Sequence, residues 1–275
     1  MSRLAFSTLG CPGWSFKTIV QNAKAMGYSA IEIRGIGDEM RAEKLEIFAP
    51  RNLEITAGLL SENGLKISNI GTSVMFHDPA NFENALAEGR GAIQTCFAAG
   101  IPAIRVFGDA FTQNESKETV IKRAADGIRT LCNYSDEKTS GKVQIWLEIH
   151  GEFNTIEVIS QLVELTSDCP SFGILWDIEH TYRVGEDPVA FYQKFKPLIH
   201  HTHFKDCTLD DNSDPIITLP GEGTVPMKEY YDLLESGGYA GLYSFEWEKR
   251  WHPDLPEPEV AFPMYAQLMN KFVVS

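Results

Sequence analysis

Short apolar runs alternate with longer amphipathic ones from one end of this 275-residue chain to the other, and that alternation limits its fold more than any other feature. The runs at 4–9, 30–33, 66–74, 103–107, 143–149, 172–178, 200–204 and 242–247 have the length and side-chain content of buried strands. Helical spacing occupies 15–26, 81–99, 115–133, 155–166, 188–194, 227–235 and 259–272, and a charged helical region runs up to Leu60. Several of these helices stop at a glycine, as at Gly27, Gly64 and Gly100. Eight strand-then-helix units of roughly 34 residues predict a closed (β/α)8 TIM barrel, a single α/β domain over residues 1–275. An open doubly wound sheet is the competing arrangement, but no Gly-x-Gly-x-x-Gly follows the first strand.

Charge narrows the partners. Lys plus Arg number 24 against 38 Asp plus Glu, a formal net charge of −14, which repels phosphate backbones and anionic lipid and argues against nucleic-acid or membrane partners. No apolar run approaches the ~20 residues that span a bilayer. Residues 1–6 enter an apolar strand-like stretch with no cleavable signal pattern. The five cysteines are scattered, odd in number and free of Cys-x-x-Cys, so reduced thiols and a cytoplasmic location are expected.

The chemistry sits where late strands end in residues that strands normally avoid. Glu148 and His150 close the fifth run, Asp177, Glu179 and His180 the sixth, His201, His203, Lys205 and Asp206 the seventh, and Glu246 lies between aromatics in the eighth. Alternation along a strand puts Tyr243, Phe245 and Trp247 on one face, against helices, and turns Ser244 and Glu246 into the barrel. By the same parity His201, His203 and Lys205 share a face, as do Gln144, Glu148 and His150. An interior so crowded with carboxylates and imidazole is costly without a cation. Glu, Asp, His and Glu suit one divalent ion; mostly oxygen donors with one imidazole favour Mn²⁺ or Mg²⁺, with Co²⁺ and Zn²⁺ as alternatives.

Ser7-Thr8-Leu9-Gly10-Cys11-Pro12, Trp176-Asp177-x-x-His180, His203-x-Lys205-Asp206, Gly221-Glu222-Gly223 and Phe245-Glu246-Trp247, in that order over nearly the whole chain, resemble the sugar phosphate isomerase/epimerase family of xylose isomerase-like TIM barrels. The resemblance implies metal ligands at Glu148, Asp177, His203 and Glu246, and a substrate-hydroxyl contact at His180. It implies proton transfer through a metal-stabilised enediolate of a ketose or related polyol ketone, with Glu148 and Glu246 as acid/base groups. The same start followed by loss of a β-hydroxyl would make the chain a dehydratase of an inosose- or dehydroshikimate-like substrate. The resemblance is compatible with a homo-oligomer.

Weaker signals surround this set. Lys205, His150 and Trp14 are expected as substrate contacts, with a solvent-facing lysine, a satisfied polar residue and a packing indole as their respective alternatives. His201, Glu32, Arg34, His77, Arg105, Trp251 and His252 stand open between structural and substrate roles. Gly221-Glu222-Gly223 has the glycines of a phosphate cradle, but Glu222 brings the wrong charge, so a turn is expected. An endonuclease IV-like phosphodiesterase would need further His and Glu ligands from early strands and a basic face; the early strand ends offer Thr8, Glu32, Thr72 and Arg105 with only His77 nearby, and the net charge is −14. A metal-free sugar-binding barrel is the non-enzymatic alternative; the intact four ligand positions weigh against it.

Overall fold

In the computed structural model, which describes residues 2–212 and 214–274, eight parallel strands close into a barrel. β1 (Leu4–Ser7), β2 (Ala30–Ile33), β3 (Lys66–Met75), β4 (Ala103–Phe107), β5 (Gln144–Glu148), β6 (Phe172–Asp177) and β7 (Ile199–Phe204) neighbour one another in chain order. β8 (Asp206–Leu209) and β9 (Pro215–Thr218) leave the ring as an antiparallel hairpin, and β10 (Tyr243–Phe245) closes it between β7 and β1. The helices are α1 (Phe16–Ala25), α2 (Leu53–Glu62), α3 (Phe82–Ala99), α4 (Lys117–Thr139), α5 (Ile156–Leu165), α6 (Ile178–Arg183), α7 (Pro188–Phe195), α8 (Met227–Ser236) and α9 (Pro258–Val274). Ser15, Ser116 and Thr155 start α1, α4 and α5 by accepting a backbone N–H three residues on.

Three segments differ from the sequence expectation. The charged region before α2 is a series of 3₁₀ turns (Ala42–Lys44, Glu46–Phe48, Pro50–Asn52) rather than one helix. Pro50 forces Ala49 into extended backbone and breaks any longer helix there. The connection after β7 contains the hairpin, and β6 runs straight into α6 because Asp177 Oδ1 accepts the Glu179 N–H and caps it. No described helix is long and apolar enough to cross a membrane.

The core has two compartments. Between barrel and helices, Phe245 stacks on Tyr265 of α9 with ring centroids 4.6 Å apart, and Phe6 lies 4.4 Å from Phe262. Inside the barrel, Trp146 packs with Ala103 and Leu175 and stacks on His201, 5.5 Å away at 19°. The strand pairing skips His200, a bulge that brings His201 opposite Leu175 and His203 opposite Asp177. The aromatic plug leaves the other half of the interior to polar groups. Glu32, Arg105, Glu148, Asp177, His203, Lys205 and Glu246 are all buried there.

Candidate metal centre

Glu148 at the end of β5, Asp177 at the end of β6, His203 in β7 and Glu246 just past β10 present four donor atoms that all lie within 4.8 Å of one another. His203 Nδ1 is 3.6 Å from Glu148 Oε1, 4.0 Å from Asp177 Oδ2 and 3.4 Å from Glu246 Oε2. These distances are too long for good hydrogen bonds and suit atoms arranged around a common centre. Glu148 Oε1 and His203 Nδ1 are buried without a hydrogen-bond partner among the described residues, while Glu148 Oε2 and Asp177 Oδ2 meet only the charged groups of Arg105 and Lys205, each at 2.9 Å. Orphaned atoms of this kind are expensive to bury unless something else satisfies them, and a divalent cation fits this donor set.

Surrounding charges keep the ligands in order. Burial opposes ionisation of Glu246, but Lys205 and His203 outweigh it and hold the carboxyl well below the usual range. Glu148 is likewise held down against burial, chiefly by Arg105, whose Nε lies 2.9 Å from Oε2. Burial pushes Asp177 up to about 7, even though Lys205 Nζ is 2.9 Å from its Oδ2. Lys205 also reaches Glu246 at 3.0 Å and Glu248 at 2.8 Å, and those carboxylates raise it well above its ordinary value against the effect of burial. His203 rises in the same way: burial lowers it, and Glu32, Glu246 and Glu148 more than reverse the effect.

Glu32 is the residue whose role its sequence position did not reveal. Its Oε2 lies 2.8 Å from His203 Nε2 and 3.2 Å from His201 Nε2, so it neither pairs with Arg34 nor faces a substrate. A carboxylate on the far nitrogen of a metal-binding histidine fixes the tautomer and raises donor strength. E32Q is therefore expected to weaken divalent-metal binding by roughly 10–100-fold without unfolding the barrel; an unchanged binding isotherm would remove that role.

The other expected residues divide. His180 is buried, its Nε2 3.8 Å from both Asp177 Oδ2 and Glu179 Oε2, and burial followed by Lys205 drops its pKa well below the usual value, so the ring is neutral. His180, His150 and Lys205 line one cavity of about 260 Å³ with Asp206, Ile217 and Glu248. Through Lys205, which reaches Asp177 and Glu246, this cavity adjoins the four candidate ligands, whereas a larger cavity of about 480 Å³ opens at the opposite end of the barrel around Lys66, Pro102 and Trp146. Trp14 is placed elsewhere: its N–H donates to Glu259 at 3.0 Å and its ring meets Phe262 edge-on, so it packs the first turn against α9 rather than lining the cavity. Arg34 donates to Ser73 at 2.9 Å, His77 lies beside Asp109, His252 reaches the cavity rim and Trp251 is exposed.

The glycine pair after the hairpin holds the chain's own carboxylate. Asp206 Oδ2 accepts the N–H groups of Gly221 (2.9 Å) and Gly223 (3.0 Å), and Oδ1 those of Cys207 (3.0 Å) and Val225 (3.2 Å). A Cβ at Gly223 would collide with Oδ1, so glycine is required. The turn is filled and offers no phosphate cradle. D206A removes four charge-assisted bonds and should cost on the order of 3 kcal/mol. Limited proteolysis should then cut within 206–226; resistance equal to wild type would refute the staple.

The sequence profile of the xylose isomerase-like TIM barrel matches residues 20–263. The chain belongs to that family. Among its relatives, an inosose dehydratase of Bacillus anthracis is 27% identical over 167 residues, 55% of this chain and 53% of that protein, so the chain spans about half the length of the curated relatives it matches. The IOLI protein, solved with a binding zinc atom, superposes with a TM-score of 0.76 at 20% identity over 99% of this chain and 96% of its own. D-psicose 3-epimerase from Clostridium cellulolyticum H10, solved with D-tagatose, superposes with a TM-score of 0.76 at 15% identity over 99% of both chains. At such identities the superpositions speak for the fold.

Proposed function

We propose that the chain is a divalent-metal-dependent isomerase or epimerase of a ketose or related polyol ketone, which moves a proton at the carbon beside the carbonyl. The observation that carries this reading is that two carboxylates, Glu148 and Glu246, both lie within 3.6 Å of His203 Nδ1, and that Lys205, 3.0 Å from Glu246, lines a cavity of hydrogen-bonding groups. Glu148, Asp177, His203 and Glu246 would hold the cation; the oxygen-rich set favours Mn²⁺ or Mg²⁺, and the zinc of the IOLI protein makes Zn²⁺ the first alternative. When bound, the cation supplies Lewis-acid stabilisation of the negative charge that develops on substrate oxygens. One glutamate takes the proton and the other returns one, to the opposite face in epimerisation or to the neighbouring carbon in isomerisation. Lys205 and Arg105 keep both carboxyls ionised between turnovers. His180, neutral and without a hydrogen-bond partner among the described residues, can hold a substrate hydroxyl.

A second reading is supported by the inosose dehydratases: the same proton removal followed by loss of water. The five cysteines are all buried and unpaired, which supports a cytoplasmic setting for either reaction. The Mg²⁺-loaded protein, incubated in D₂O with ketoses and inososes and followed by NMR, decides between them. Deuterium beside the carbonyl without loss of water supports the isomerase or epimerase, and a dehydrated product moves the assignment to lyase. No exchange across the panel would reject the substrate class.

A further inference from the structure

Asp109, in the turn after β4, has a φ of 77°, the left-handed region that residues with a Cβ rarely adopt. The neighbouring turn holds it there. Its carbonyl accepts the Glu152 N–H at 2.7 Å, and Gly151, itself at φ 58°, lies so close that a Cβ there would strike that carbonyl. These backbone contacts would hold whatever side chain residue 109 carried, so they do not account for an aspartate in a strained conformation. What the side chain does is meet two imidazoles: Oδ1 is 3.1 Å from His150 Nδ1 and Oδ2 is 3.4 Å from His77 Nδ1. His150 lines the 260 Å³ cavity and its ring lies 4.4 Å from that of His180, whose Nε2 is 3.8 Å from Asp177.

An ionised carboxylate only accepts hydrogen bonds, so the neutral ring of His150 carries its hydrogen on Nδ1. Its Nε2, which has no hydrogen-bond partner among the described residues, is then left as an acceptor. We propose that Asp109 is a positioning residue that fixes this tautomer, so that His150 accepts a hydrogen bond from a hydroxyl of the substrate. In the neutral ring, an acceptor there selects for a hydroxyl and against a carboxylate or phosphate group at that point of the cavity. The inference rests on the cavity being the substrate site of the proposed function. Strain kept at a functional position explains why the residue is not the glycine its backbone prefers.

Histidine nitrogen shifts, measured by ¹⁵N NMR on the whole protein at a pH where His150 is neutral, test the tautomer without any substrate. Wild type should show His150 protonated on Nδ1. D109G accepts the φ without strain, so it should melt at or above the wild-type temperature while the tautomer bias of His150 disappears. D109N keeps both the backbone tolerance and an acceptor oxygen, and should restore the bias. With the best ketose or inosose of the exchange panel, D109G should lose at least about tenfold in kcat/KM, mostly through KM, and D109N should recover to within about threefold. A wild-type His150 protonated on Nε2, or unchanged nitrogen shifts in D109G, would overturn the proposal. A large fall in D109G melting temperature would also overturn it, by making Asp109 a structural staple. If wild type exchanges no substrate hydrogen, the proposed function fails on its own, and the nitrogen shifts still decide the role of Asp109.

Discussion

E246Q is expected to stay folded, to bind a divalent ion, and to lose substrate conversion by on the order of 10²–10⁴-fold, the range that removing a positioned proton carrier produces. Glu246 is the better of the two glutamates to change. Its Oε2 takes Lys205 and the approach of His203, and Lys205 keeps Asp177 and Glu248 as partners when the Glu246 charge is removed. Glu148 lies 2.9 Å from a buried Arg105, so E148Q strands a guanidinium and loses stability of about 3–5 kcal/mol along with chemistry. The side-chain amide oxygen in E246Q still offers the cation a ligand, so a loss of turnover in that variant reports proton transfer rather than an empty site. A two-glutamate reaction also predicts an asymmetry. With Glu148 intact, E246Q should still exchange the hydrogen beside the carbonyl in one of the two epimers while failing to interconvert them. NMR in D₂O with each epimer in turn measures this, and wild-type conversion by E246Q would end the assignment of Glu246 as a proton carrier.

The barrel was legible because its signal is periodic. Strands of three to ten residues alternate with capped helices, and β2 (Ala30–Ile33) and β4 (Ala103–Phe107) fall on the residues that the sequence pattern predicts. That Glu148, Asp177, His203 and Glu246 come together was legible for a related reason: a carboxylate at the inward parity of a buried strand is too costly to keep without a cation or a counter-charge beside it. What the sequence could not show is pairing across the ring. Glu32 and His203 are 171 residues apart, and only barrel closure brings them to 2.8 Å. Asp109 likewise sits in a loop whose function depends on a backbone angle and on a histidine 41 residues further on. Trp14 shows the converse: an aromatic in the first loop carries no mark that separates a substrate wall from a packing residue, and Glu259 of α9 decides it.

Charge at the centre makes the effect of cation removal depend on pH in a definite direction. Asp177, raised from 3.8 to about 7 in the fold, holds a proton that the unfolded chain releases near pH 4. Across that window Asp177 binds more proton in the folded state than in the unfolded one, so its contribution to the stability of the metal-free protein falls as pH rises from about 4 to about 7. A divalent cation needs Asp177 ionised and His203 free of its proton on Nδ1, so its binding displaces protons and strengthens as pH rises. Below about 7 both groups contribute; above it Asp177 is already ionised and His203, raised well above its ordinary value, contributes alone. Each displaced proton is worth about tenfold in affinity per pH unit, so the dependence should be steeper below pH 7 than above it. At a cation concentration of 100 times Kd the bound form gains about 2.7 kcal/mol, or roughly 5–10 °C in Tm for a chain of this size. Chelation should therefore abolish turnover and lower Tm by that amount near neutral pH, with both restored by Mn²⁺ or Mg²⁺, and the gap should shrink towards pH 5. Scanning calorimetry of chelated and reloaded protein at several pH values measures it. A gap that is absent at pH 7, or that widens as pH falls, would show that the four buried ligands hold no divalent cation.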